Sequence, residues 1–215
     1  MTPTLDALRD APLHRVPREH VTMAAIGIAL VRLAWLVFHL ATGRVPGWES
    51  ALFHRINDLP AGLRAPLWPL MQLGDFWLWI VAVPILVGIY RRPAPALAVA
   101  ISGVGAWTLA KVVKVIVDRG RPRELLPAVI LRESGIHDPG FVSGHTAVAA
   151  ALIAALTPWL PRPLIAFAWV LVGVVGFARV YYGAHLPLDI VGGVGVGLVC
   201  GAAAGAIVGI PTATR

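Results

Sequence analysis

Six apolar runs, each near the length of a bilayer crossing, constrain this chain more than anything else in it: residues 21–42, 67–90, 94–117, 144–160, 163–181 and 186–210. A spanning helix needs about 20 mostly apolar residues. Charged residues are only 13% of the chain and hydrophobic ones 58%, whereas a soluble domain carries roughly 25% charge. Lipid is therefore the expected solvent. The expected fold is an all-α membrane protein, a six-transmembrane-helix bundle over residues 21–210, with a polar leader at 1–20 and a short tail at 211–215.

The first run contains Arg32 and His39, which argues for a retained span rather than a cleaved signal. Arg32 lies near its middle and is expected to face the bundle interior, with Asp75 as an ion-pair partner. Between the first two runs, residues 48–56 place Trp48, Leu52, Phe53 and Ile56 on one helical face, expected to lie along the membrane surface. Trp68, Trp77, Trp79 and Tyr90 read as interfacial anchors.

The formal net charge is +7. Its 18 basic residues are scattered among apolar runs rather than gathered on a polar face, so an anionic lipid or substrate is the expected partner, not nucleic acid. Cys200 is the single cysteine and cannot form an intrachain disulfide.

Six crossings put both termini on one side. They put three polar segments together on the other: KVIVDRGRP at 114–122, FVSGHT at 141–146 and RVYYGAHLPLD at 179–189. The last run supports this packing, because Gly193, Gly197, Gly201, Gly205 and Gly209 recur every fourth residue. Small residues at that spacing let helices approach closely in lipid. Extended backwards by fours, the ridge reaches Asp189 and His185, which should point into the bundle.

Lys114, Arg121 and Arg179 supply three cations at that face, with no comparable set of acids recognised beside them. Such a cluster suits an anion, since arginine forks match phosphate oxygens in pairs and lysine acts as a point charge. Ser143 suits the N-cap of the fourth helix, leaving the amides of Gly144 and His145 toward the same pocket. His185 and Asp189, four apart, can hydrogen-bond, fixing a tautomer that leaves one ring nitrogen free to attack. His145 stands where a leaving oxygen could take its proton. Two histidines and an aspartate could also hold zinc, but three neighbouring cations disfavour it. His137 and Asp138 read as solvated loop residues.

Lysine, six residues, then Arg-Pro; Ser-Gly-His; and arginine, five residues, histidine, three residues, aspartate: together these resemble the signature motifs of the type 2 phosphatidic acid phosphatase family. The resemblance covers about residues 50–210. It implies an integral-membrane lipid phosphatase in which Lys114, Arg121 and Arg179 bind the phosphoryl group. It further implies that Ser143 and Gly144 stabilise the transition state, His145 is the acid, and His185 becomes phosphorylated while Asp189 orients it. No cofactor or metal is implied. Val142 stands where the family usually has proline, leaving the loop less constrained, and Ala178 where it usually has serine, removing a hydroxyl contact to phosphate.

The expected substrate is a lipid phosphate or diphosphate, polyprenyl diphosphate first, with phosphatidylglycerol phosphate and phosphatidic acid open. Phosphotransfer from the same histidine, and lipid-phosphate binding or transport without turnover, are the alternatives. Joint presence of His145, His185 and Asp189 disfavours the last. Outside the motifs, seven arginines fall on the N-terminal side and six on the motif side. Together with the resemblance, this points to a bacterial cytoplasmic membrane with the site facing outward.

Overall fold

The computed structural model describes residues 13–14, 17–41, 44–91, 93–133, 135 and 138–211. His137 and the Trp79 side chain lie outside the described part, as do the ends of the chain. The elements are β1 (Leu13–His14), α1 (Pro17–Leu40), α2 (Gly47–Asn57), α3 (Arg64–Met71), α4 (Phe76–Tyr90), α5 (Ala94–Val117), α6 (Pro122–Leu125), α7 (Gly144–Leu156), α8 (Arg162–Tyr181), α9 (Pro187–Val208) and β2 (Ile210–Pro211). β1 pairs antiparallel with β2, Leu13 opposite Pro211. That pairing holds the two ends of the described chain at one end of the bundle.

Six apolar segments occur where the sequence predicts them, but they do not make six uniform spans. Among the described residues four helices, α1, α5, α8 and α9, are long and apolar enough to cross a membrane. The second segment is bent by 59° between Ala61–Gly74 and Phe76–Tyr90. Asp75 causes the break: its extended backbone ends one turn, and its carboxylate caps α4 by accepting from the Trp77 N–H at 3.0 Å. α7 is a shorter apolar helix, extended to Trp159 by a 3₁₀ turn.

α9 is the central post, in contact with α1, α7, α5 and the smaller α2. Glycine makes this approach physically possible. A Cβ on Gly197 would lie 2.5 Å from the Ala150 Cβ, and one on Gly195 would lie 2.5 Å from the Gly27 carbonyl. Both are too close for any side chain. The predicted ridge therefore divides: Gly193, Gly197 and Gly201 meet α7, Gly205 meets His20 of α1, and Gly209 ends α9 at φ 87°.

Several expectations change. Arg32 is exposed on the outer face of α1, because Gly27, Val31, Ala34 and Phe38 form the inward stripe. Its expected partner Asp75 is engaged as a helix cap. In α2 the inward face is Glu49, Phe53, Ile56 and Asn57, while Trp48 and Leu52 are exposed. Tyr90 is buried, and its hydroxyl donates to the Trp159 carbonyl at 2.7 Å. Val142 and Ala178, the two departures from the family pattern, are both fully buried in apolar clusters.

Candidate active site

The end of α5, the start of α7, the end of α8 and the start of α9 meet at one end of the bundle. The last two are joined by a tight turn in which the Arg179 carbonyl accepts from the amides of Ala184 and His185, at 3.1 and 3.3 Å. Gly183 permits the turn with φ 75°. Pro187 then opens α9, where a missing N–H costs nothing. Asp189, one turn in, reaches back so that its Oδ2 accepts from the Leu186 amide at 2.9 Å. Its own carbonyl accepts from the Ser143 amide at 2.9 Å, tying the second polar segment to the third.

His185 is 2% exposed, with Nε2 3.3 Å from Arg121 Nη1 and Nδ1 3.5 Å from Asp189 Oδ2. The guanidinium can only donate, so Nε2 presents its lone pair and the proton belongs on Nδ1, toward Asp189. Burial, and then Arg121, Arg179 and Lys114, hold the imidazole well below its ordinary pKa, so it is neutral. The expected His185–Asp189 hydrogen bond is not closed at this distance, and Nδ1 has no hydrogen-bond partner among the described residues.

Asp189 is instead engaged by Arg119, whose Nη1 donates to Oδ1 at 2.8 Å. The same guanidinium pairs with Glu49, with contacts of 3.2 and 2.7 Å, and stacks over the Phe38 ring at 4.4 Å. Glu49 Oε1 also accepts from the Leu188 amide at 2.9 Å. Burial pushes the Glu49 carboxyl up, while Arg119 pulls it back. Glu49 and Asp189 are fully buried and Arg119 is their shared counter-charge. Arg119→Ala, which strands two buried carboxylates, is expected to destabilise the protein by about 3–5 kcal/mol. Thermal unfolding in detergent reads this, and a loss below about 1 kcal/mol would mean the pair behaves as a solvated one.

Ser143 caps α7 as predicted, accepting from the Thr146 N–H at 3.5 Å and from its hydroxyl at 3.1 Å. Gly144 and His145 line a cavity of about 180 Å³ that also reaches Lys114, Trp107 and Phe76. His145 lines a second, about 550 Å³, bounded by Arg64, Gln72, Glu133 and Tyr182. Thus His145 stands between an apolar cleft and a larger polar cavity.

The expectation that no acids accompany the three cations does not hold. Lys114 Nζ lies 2.8 Å from Asp138 Oδ2 and 2.6 Å from the Pro139 carbonyl. Arg121 Nη2 meets Asp138 Oδ1 at 2.5 Å, its Nε donates to the Asp138 carbonyl at 2.8 Å, and its Nη1 to the Ala184 carbonyl at 2.7 Å. Arg179 Nη1 meets Glu133 Oε2 at 2.6 Å. Partial burial alone would raise the Asp138 carboxyl; Lys114 and Arg121 overcome this and hold it at about 2. Asp138 is therefore no solvated bystander.

The structure places all eight candidates, His145, His185, Asp189, Lys114, Arg121, Ser143, Gly144 and Arg179, at this end of the bundle, and sets beside them the charged groups Glu49, Arg119, Asp138 and Glu133, which the sequence reading did not count among the candidates. A signal for Glu49 was present: it shares a helical face with Phe53 and Ile56.

The chain is 27% identical over 148 residues to an undecaprenyl-diphosphatase of Sulfolobus acidocaldarius, covering 68% of this chain and 72% of that protein. LpxE of Aquifex aeolicus, a crystal structure, superposes with TM-score 0.65 at 25% identity, over 72% of this chain and 92% of LpxE. The PAP2-type phosphatidylglycerolphosphate phosphatase of Bacillus subtilis shares the fold, with TM-score 0.68 at 19% identity, over 84% and 94% of the two chains. The PAP2 superfamily pattern matches residues 94–210, through all three polar segments. A match over more than half of the chain makes this protein a member of the PAP2 superfamily.

Proposed function

We propose that this membrane-embedded phosphatase hydrolyses a lipid phosphate or diphosphate through a phosphohistidine at His185. The observation that carries the reading is the direction of the His185 ring: Nε2 lies 3.3 Å from Arg121 Nη1, and Nδ1 faces Asp189. Lys114, Arg121 and Arg179 hold the phosphoryl oxygens, and the start of α7, with Ser143 and Gly144, stabilises the charge that develops on them. His185 Nε2 attacks phosphorus as the bond to the leaving oxygen breaks. His145 gives that oxygen a proton, then takes one from the water that cleaves the phosphohistidine. Asp189, 3.5 Å from Nδ1, takes up that proton's hydrogen bond as the ring becomes charged on phosphorylation.

Polyprenyl diphosphate is the favoured substrate, supported by the name of the Sulfolobus acidocaldarius relative. A bacterial cytoplasmic membrane with the site on its outer face is the favoured location, supported by the slight excess of arginine on the opposite side. Fixed cations supply the charge that a metal would, so no metal is needed.

Purified protein should release inorganic phosphate from polyprenyl diphosphate, with and without chelator, and vanadate should inhibit. In sealed vesicles of native orientation the outer leaflet should supply the substrate. No phosphate from any lipid phosphate, or restoration by added zinc or magnesium after chelation, would overturn the reading. Release from the inner leaflet alone would reverse the orientation.

A further inference from the structure

We propose that Glu49 is a positioning residue for the phosphorylation step: acting through Arg119, it keeps the Asp189 side of the His185 ring at a net negative charge, and so favours formation of the phosphohistidine over its hydrolysis. The proposal rests on the reading of His185 as the nucleophile. Glu49 stands on α2, outside residues 94–210 that the PAP2 pattern matches. Its carboxylate is nonetheless built into the start of α9, since the Oε1 that meets Arg119 also accepts from the Leu188 amide.

Asp189 has its own counter-charge, and that is the difficulty Glu49 resolves. Arg119 Nη1 donates to Asp189 Oδ1 at 2.8 Å, and an isolated Asp189–Arg119 pair would be neutral, with little to offer a charged ring. Nη2 of the same guanidinium meets Glu49 Oε2 at 2.7 Å, so one positive charge serves two carboxylates. Among the described residues, every polar contact of those carboxylate oxygens is with a nitrogen that donates. Glu49 faces Arg119 and the Leu188 amide; Asp189 faces Arg119, the Leu186 amide and His185 Nδ1. Neither carboxylate has a place for a proton, and the three side chains together carry a net charge of −1. Those of Glu49, Arg119 and Asp189 are 0%, 5% and 0% exposed, so this charge acts on the ring through protein rather than through water.

The reaction calls on that charge in one direction. When Nε2 attacks, its lone pair becomes the nitrogen–phosphorus bond, and the electron pair of the breaking bond stays with the leaving oxygen. The ring keeps its Nδ1 proton and turns positive. Arg121, Arg179 and Lys114 already oppose positive charge there, so the opposing negative charge has to come from the Nδ1 side. In the second step water oxygen bonds phosphorus, the nitrogen–phosphorus electron pair returns to Nε2, and the ring is neutral again. A negative group that steadies the charged ring lowers the first barrier and raises the second.

The test uses full-length protein in detergent micelles and rapid-quench single turnovers of a lipid diphosphate labelled in its terminal phosphate, reading label on protein and label released as orthophosphate separately. Glu49→Gln removes the charge while its amide oxygen can keep the Oε1 contacts; Glu49→Met, of similar volume, is the second neutral variant should the first fail to fold. Formation of the phosphohistidine should slow by roughly tenfold, the scale of one unit charge in a partly screened site. Hydrolysis of the trapped phosphohistidine should match or exceed the wild-type rate. Adding Arg119→Gln to Glu49→Gln takes away one charge of each sign, returns the Asp189 side to −1, and should recover most of the lost formation rate. Slowing of both steps together, or a double variant slower still, would reduce Glu49 to a structural ion-pair partner and overturn the proposal. Wild type that puts no label on His185 would overturn the nucleophile reading and this proposal with it. Wild type labelled on His185, beside a neutral variant labelled at the same rate, would overturn this proposal alone.

Discussion

His185→Ala should lose turnover of every lipid phosphate, by as much as about 10⁶-fold, the scale seen when an enzymatic nucleophile is removed. No phosphoprotein should be trapped from labelled substrate in the variant. The wild-type protein should yield an acid-labile, base-stable one, as a phosphorus–nitrogen bond requires. The same ring sets a pH dependence whose sign can be worked out. A protonated imidazole has no lone pair for attack, and burial with three nearby cations keeps His185 neutral until well below pH 6.5. On a lipid diphosphate, whose leaving phosphate does not depend on the His145 proton, activity measured as kcat/KM, which reports the free enzyme, should thus hold from neutral pH down through 6.5 and fall only below it. Label on another residue, or an acid limb centred above 6.5, would remove His185 from the attacking role.

The parts of this site that were legible in the sequence are those fixed by local rules. Asp189 follows His185 by one helical turn, and the glycines of α9 follow both at the same interval. Pro187 marks where that helix starts. Such relations depend on spacing alone, so a periodicity finds them. Arg119 and Glu49 are 70 residues apart, as are Arg119 and Asp189, and nothing local ties their charges together. Asp138 follows Arg121 by 17 residues through an irregular loop, where no helical phase says which way a carboxylate points. The bend at Asp75 was hidden for a different reason: the apolar run continues through it, and composition is blind to one residue that leaves the helix to cap the next. Arg32 reverses the argument, since its charge suggested the interior while the small residues of α1, Gly27 and Ala34, chose the packed face.

His145→Ala should separate substrates by their leaving groups. A general acid matters in proportion to how poorly the departing oxygen leaves without a proton. An alkoxide, whose conjugate acid lies near water's pKa of about 15.7, leaves badly; a phosphate, with a second pKa of about 6, leaves readily. His145 borders both the apolar cleft beside Trp107 and the polar cavity beside Arg64, so a departing group on either path passes its ring. A bound phosphoryl dianion also favours the protonated imidazole next to it. Hydrolysis of a lipid monophosphate should therefore drop by about 10²–10⁴, the usual contribution of a positioned acid, while first-phosphate release from the matched diphosphate should suffer far less. Dephosphorylation of the trapped His185 intermediate should slow for both, because water attack needs the same residue as base whatever group has left. Equal losses on the two substrates in single-turnover formation of that intermediate would take His145 out of proton transfer and leave it as a ligand of the phosphoryl oxygens.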